Sequence, residues 1–265
     1  MISFNHLGNL GRLGNQMFQY ASLKGIAANR GFDSCIPYEN TFGVSDPNVK
    51  NSPDNIYTCF NLQTYVGLSN NKIVNESGYH FDKELFDTCE DNVDLYGYFQ
   101  SEKYFKNIED DIRKQFSFKD EVVQDCKEFL NEVSPSGETI SLHIRRGDYL
   151  NLHSFHPTPP IEYYSEALKK FPNIPVIIFS DDPSWCSGQH LFDPDRFYIS
   201  ESDSAEYDLC LMSLCSHHII ANSSFSWWGA WLANSQNVIA PKIWFGPSLP
   251  DHDTSDLYLE GWEVL

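Results

Sequence analysis

Apolar and polar positions divide this chain into an irregular first half and a strongly patterned second half. Residues 2–7 form a short apolar run that predicts a strand, and Gly8, Gly11 and Gly14 punctuate the loop after it. Over 15–30, Met17, Phe18, Ala21 and Leu23 give a helical apolar face, so the chain opens as strand, glycine loop, helix. Residues 31–92 are rich in Asn, Asp, Ser and Pro and predict no regular element. Alternation over 93–99 predicts a strand. Ser101 then reads as the N-cap of a helix carrying Tyr104, Phe105, Ile108 and Ile112 on one side, and a second helix follows over 119–133. The breaker cluster Ser134-Pro135-Ser136-Gly137 ends it and marks the expected domain boundary.

Beyond that cluster, buried strands are predicted at 139–144 and 175–179, with shorter ones at 196–199, 218–221 and 237–240. Helices are predicted at 161–171, entered through Pro159 and Pro160, at 204–215, and at 225–234, which is rich in Trp. Strands alternating with helices imply an α/β fold with a parallel sheet. A length of 265 residues accommodates two domains of about 130 residues each, 1–134 and 135–265, with the C-terminal tail free to pack back on the first.

Composition removes several function classes. With 18 Lys plus Arg against 37 Asp plus Glu, the formal charge is −19, which disfavours non-specific binding to nucleic acid or anionic lipid. No run of 18 apolar residues occurs, and residues 1–11 lack the basic start and apolar stretch of a secretory signal, so a cytoplasmic location is expected. Seven cysteines, scattered and without a CxxC pair, read as reduced thiols. Aromatic residues make up 15% of the chain, compatible with rings stacking on sugar faces as well as with core packing.

Against that anionic background, SLHIRRGDYL (141–150) places His143, Arg145, Arg146, Gly147 and Asp148 at a strand end. Adjacent guanidiniums present planar donor forks suited to phosphate or carboxylate, although an internal ion pair with Asp148 would use the same residues. Ser180-Asp181-Asp182 follows the next predicted strand, and Asn222-Ser223-Ser224 precedes the Trp-rich helix. All three clusters fall at strand C-terminal ends, the ligand-binding edge of an open parallel sheet. Asn222, Ser223, Ser224 and the helix start suit phosphate oxygens. Asp181 and Asp182 suit ribose hydroxyls or a guanine N–H edge, with a shared divalent metal or a solvated loop as the competing readings. His143 is either a satisfied core histidine or reaches a base; Asn15 and Gln16 either cap the first helix or meet a ligand. His217 and His218 lack a third ligand at metal-binding spacing. A basic fork, a phosphate-holding helix start and paired acceptors describe a nucleotide-diphosphate site. With no GxxxxGK[ST] sequence, a nucleotide-sugar donor is favoured over phosphoryl transfer.

GRLGNQMFQYA (11–21), GYFQSEKYF (97–105), HIRRGDY (143–149), FSDDP (179–183) and ANSSFSWWGAWL (221–232) together resemble the bacterial-type α-1,2-fucosyltransferases of glycosyltransferase family 11. HIRRGD, SDDP and the serine cluster also look like their counterparts in α-1,6- and protein O-fucosyltransferases. The resemblance implies a GT-B-like fold of two Rossmann-like lobes with the donor site in the cleft between them: an acceptor-side lobe over 1–134 and a GDP-sugar-binding lobe over 135–265. It further implies inverting transfer from GDP-fucose without a metal or other cofactor, to the 2-hydroxyl of a galactose-type residue on an oligosaccharide or lipid-linked glycan. A lipid-linked acceptor would bring the protein to the inner membrane face. By motif position, Arg145 would hold the β-phosphate, and His143 with Asp181 or Asp182 would meet guanine. Ser223 and Ser224 would contact the pyrophosphate, and Asn15 would face the donor sugar or phosphate. Arg146 would be the more structural arginine, and Asp148 is the nearest candidate base. Arg12 and Leu259 depart from the family's usual Gly and Pro, outside the donor motifs. The alternatives are another GDP-sugar as donor, or a glycan or nucleotide-sugar binding protein without turnover.

Overall fold

The computed structural model describes residues 1–39, 54–135, 137–250 and 252–265, so Ser136 of the breaker cluster and residues 40–53 of the irregular stretch lie outside the described residues. The chain forms two compact units. The first comprises Met1–Phe118 with His252–Leu257. In it β1 (Ile2–Ser3), β2 (Ser34–Ile36), β3 (Tyr65–Val66), β4 (Lys72–Asn75) and β5 (Val93–Tyr96) form a parallel sheet in the order β3-β2-β1-β5-β4. Its long helix, α1 (Leu13–Arg30), buries Met17, Phe18, Ala21 and Leu23, the predicted apolar face, together with Ile26. The short helices α2 (Ile56–Cys59) and α3 (Lys83–Thr88) fall within the stretch that predicted none.

The helix expected after Ser101 is broken. Ser101 Oγ accepts the Lys103 N–H at 3.3 Å and caps a 3-10 turn over Glu102–Tyr104; a second turn over Lys106–Ile108 precedes α4 (Glu109–Gln115). Phe105 and Ile108 leave helical geometry at φ −129° and −131°. Tyr104 and Phe105 are 0% and 1% exposed, and burying both adjacent rings accompanies this break.

The second unit runs from Lys119 to Leu265, less His252–Leu257. Its strands are β6 (Ile140–Ile144), β7 (Val176–Ser180), β8 (Phe197–Ile199), β9 (His217–Ile219), β10 (Val238–Ala240) and β11 (Glu263–Val264). All pair in parallel, in the order β11-β10-β9-β6-β7-β8. Its helices are α5 (Asp120–Val133), α6 (Ile161–Leu168), α7 (Pro183–Ser187), α8 (Ala205–Ser213) and α9 (Ser224–Leu232). Ile140, Leu142, Ile144, Val176 and Ile178 of the central strands pack with Tyr163, Tyr164 and Leu168 of α6. Helix α5 belongs to this unit: Lys119 Nζ meets Glu206 at 2.8 Å and Cys126 Sγ donates to the Tyr207 carbonyl at 3.7 Å. Compactness thus divides the chain before α5, whereas Ser134, the first residue of the breaker cluster, is the C-cap that ends that helix.

Both units are parallel α/β sheets, as the alternation and the GT-B-like resemblance implied. In each, strand order reverses beside the first strand, between β1 and β5 and between β6 and β9, and such a reversal opens a crevice at the strand C-terminal ends. Among the described residues no helix is long and apolar enough to cross a membrane. All seven cysteines are buried free thiols.

Candidate active site

The three polar clusters follow β6, β7 and β9, neighbours in the sheet, so parallel pairing brings them to one edge. Arg145 Nη1 contacts Asp181 Oδ2 at 2.8 Å, and Nη2 donates to Asp148 Oδ1. Arg145 is 15% exposed at its side chain and Asp148 43%, so Asp181 backs the guanidinium while Asp148 covers it from the solvent side. The Tyr149 ring lies 5.3 Å from the same guanidinium. Arg146 Nε donates to Asp182 Oδ2 at 3.0 Å, and its guanidinium sits 4.0 Å from the Trp185 ring centre, a combined ion pair and cation–π contact.

Asp181 Oδ1 also accepts the backbone N–H groups of Arg146 and Gly147 at 2.8 and 3.2 Å. Gly147 is required by close approach: a Cβ there would stand 2.4 Å from Asp181 Oδ2. Asp182 caps α7 through the Trp185 N–H at 3.1 Å. The two carboxylates that the sequence presents as open acceptors are therefore engaged with the two arginines, the 146–147 backbone and a helix start.

Around β9 the sequence-selected residues separate. Asn222 is 1% exposed, and its amide donates to the carbonyls of Pro157 at 2.8 Å and Trp244 at 2.9 Å, so it fastens two loops and does not face solvent. Ser223 caps α9 by accepting the Phe225 N–H at 3.3 Å. Ser224, partly exposed, makes no side-chain hydrogen bond among the described residues. His143 is 5% exposed, with Nδ1 at 2.8 Å from Ser226 Oγ; burial, aided by the Arg145 charge, pushes its pKa down to about 3. Of the two possibilities for His143, the satisfied and neutral core histidine is the one this geometry matches.

Sequence reasoning missed His156. Its ring stacks on Tyr149, with centroids 5.0 Å apart and planes at 21°. Tyr149 in turn donates to the Asn222 carbonyl at 3.2 Å. Burial lowers the His156 pKa, Asp148 opposes that, and Arg145 adds to it, so His156 belongs to the Arg145 surroundings. Only tertiary folding of the 152–157 loop signals this.

In the first unit, α1 begins without a side-chain cap, so Asn15 does not cap it. Asn15 Oδ1 accepts from Gln100 Nε2 at 2.7 Å. Gln16, 1% exposed, accepts the Ile56 N–H at 3.1 Å and donates to the Gly11 carbonyl at 3.4 Å, a structural bridge. Among the described residues no group of three or more His, Cys, Asp or Glu is arranged to hold a metal ion.

A family model described as glycosyl transferase family 11 matches residues 2–265. An α-1,2-colitosyltransferase of Escherichia coli is 32% identical over 89% of this chain and 90% of its own length. Galactoside α-(1,2)-fucosyltransferase 2 of Pongo pygmaeus is 24% identical over 91% of this chain and 71% of its own. Among solved structures, the NodZ α-1,6-fucosyltransferase soaked with GDP-fucose superposes with a TM-score of 0.59, covering 91% of this chain and 94% of that one at 15% identity.

Proposed function

Since the chain belongs to glycosyl transferase family 11, we propose that it transfers L-fucose from GDP-fucose, with inversion, to the 2-hydroxyl of a galactose-type residue of a glycan. The observation that carries this reading is Arg145, held from behind by Asp181 and covered by the more exposed Asp148. A β-phosphate approaching from the solvent side replaces Asp148 on the guanidinium. Ser224, the Ser223 hydroxyl and the first N–H groups of α9 take the remaining pyrophosphate oxygens. Asn15 contacts the donor sugar or phosphate. Asp182 keeps Arg146 in place, while Asp181 uses its remaining acceptor capacity toward the nucleoside.

As the bond from the anomeric carbon to phosphate breaks, its electron pair goes to the β-phosphate. Arg145 and the donors around it stabilise that charge without reorganising. The acceptor oxygen forms the new bond on the opposite face, and its proton passes to Asp148, which phosphate binding has released. With the carboxylates paired to arginines, the reaction proceeds without a metal. A binding protein without turnover has no use for an exposed carboxylate beside the phosphate-holding arginine.

Incubation with GDP-fucose and lactose, with and without EDTA, tests the reading. GDP release with a product whose fucose sits on the galactose 2-hydroxyl, unaffected by EDTA, is expected. GDP release without glycan product, or loss of activity in EDTA, overturns it. Because one relative is named a colitosyltransferase, colitosyl donors form a second arm. GDP-fucose should raise the unfolding temperature more than GDP-mannose or UDP-galactose does, since a bound donor stabilises by mass action. A lipid-linked acceptor would bring the enzyme to a membrane face through its substrate, because a net charge of −19 does not draw it to anionic lipid.

A further inference from the structure

The first unit carries a built carboxylate that the proposed reaction leaves unused. Glu76 follows β4 at the C-terminal edge of the sheet, beside the turn that leaves β5. Its Oε2 accepts the N–H groups of Tyr98 at 2.8 Å and Phe99 at 2.9 Å. Its Oε1 is buried and has no hydrogen-bond partner among the described residues. The contact is close, since a Cβ on Gly97 would stand 2.5 Å from the Glu76 Cβ.

The same turn is fastened from its other side by α1. Gln19 Nε2 donates to the Gly97 carbonyl at 3.3 Å and to the Leu10 carbonyl at 3.0 Å, and Ser22 Oγ donates to the Phe99 carbonyl at 3.1 Å. Both side chains are fully buried. Between these fastenings Phe99 is held at φ 54°, a left-handed conformation that a non-glycine residue keeps only where its surroundings impose it. The next residue, Gln100, reaches Asn15 Oδ1 at 2.7 Å across the β1–β5 reversal.

A buried carboxylate with one oxygen unpaired is a costly way to close a turn that apolar packing could cover. Burial, partly offset by the two backbone N–H groups and reinforced by Asp82, raises its pKa to about 7, as that cost requires. What the carboxylate supplies, and an apolar group could not, is a fixed backbone path into Gln100.

We propose that Glu76 is a positioning residue: through the Gly97–Phe99 turn it sets Gln100 against Asn15 and thereby fixes the Asn15 amide that meets the donor. This rests on the reading above that Asn15 contacts the donor. Glu76 itself touches neither substrate nor reacting atoms.

The test compares Glu76→Ala, Glu76→Gln, Asn15→Ala and the Glu76→Ala/Asn15→Ala double variant. Readouts are kcat and KM for GDP-fucose, GDP affinity, and hydrogen exchange over 11–16 and 97–100. Glu76→Ala should lower kcat about tenfold or more, the effect of a slightly misplaced contact, and should shift GDP affinity no further than Asn15→Ala does. The double variant should be no slower than Asn15→Ala alone, because both act through one contact. Glu76→Gln, which keeps an oxygen for the two N–H groups, should recover most of kcat. Exchange should rise over 97–100 and over 11–16 together. Multiplying kcat losses in the double variant, or loosened 97–100 beside unchanged 11–16, overturns the proposal. If Glu76→Ala does not fold, Gln100→Ala, which cuts the link to Asn15 Oδ1, should lower kcat as far as Asn15→Ala does, and a wild-type kcat in it overturns the proposal. If the wild type transfers nothing from GDP-fucose, the donor reading falls, and the exchange pattern alone decides whether Glu76 governs Asn15.

Discussion

Arg145 and Asp148 form one ion pair, yet their removal should have opposite effects on donor binding. Arg145→Ala takes away the fixed charge at the developing phosphate anion, so kcat should fall by a factor on the order of 100–1,000, the usual loss for one such donor. GDP affinity should weaken with it. Asp148→Asn removes the carboxylate that competes with phosphate for the guanidinium, so GDP should bind as tightly as to the wild type or more tightly. Its kcat should still drop, because the proton acceptor is gone. Calorimetric GDP titration beside steady-state transfer separates the two, and a weaker GDP affinity in Asp148→Asn would remove the competition argument. Gly147→Ala tests the support behind the pair. The new methyl would meet Asp181 Oδ2, which Arg145 and two backbone N–H groups hold in place. Transfer should therefore fall although no ligand-facing group has been changed.

Helix α9 shows a division of labour between adjacent serines that composition cannot separate. Ser223 Oγ accepts the Phe225 N–H and keeps its O–H for phosphate, so Ser223→Ala should cost about 1 kcal/mol of stability, as the loss of a cap does, read as a lower denaturant midpoint, and raise the KM for GDP-fucose as well. Ser224 makes no side-chain hydrogen bond among the described residues, so Ser224→Ala should leave the midpoint in place and raise the KM for GDP-fucose. What was legible in the sequence follows the same physics. The second sheet announced itself because β6 and β7 are buried strands whose polar ends break sharply at Arg145 and Asp181. The first sheet did not: β3 and β4 are largely exposed two- and four-residue strands without an apolar run to mark them. Glu76, Gln100 and His156 escaped for a related reason, since each gains its partners from distant backbone or rings. Asn222 was legible as special, but the bonds of its amide to the Pro157 and Trp244 carbonyls, which fasten two loops, are invisible in one dimension.

Across the whole molecule, acid should destabilise the fold even though the chain is strongly anionic. Burial holds His143 and His218 at about 3 against an ordinary 6.5, and it lowers His156 and His217 as well. For His143 and His218 the folded state stays neutral while the unfolded chain takes up a proton below 6.5, so stability is lost as pH falls from 6.5 toward 3; His156 and His217 act in the same sense. Glu76 works in the other sense: its raised pKa makes the folded state bind a proton the unfolded chain releases, a contribution lost as pH rises from 4.5 to 7. Relief of repulsion within a molecule of charge −19 also favours mild acid, but it is a long-range term that salt weakens. At ~0.15 M salt His143 and His218, which stay neutral in the fold, outweigh one carboxyl, and His156 and His217 add in the same direction. The urea midpoint should therefore fall between neutrality and about pH 5. His218→Leu, which removes one fully buried imidazole, should make that fall shallower, whereas a midpoint that rises toward acid would mean that charge repulsion governs this fold.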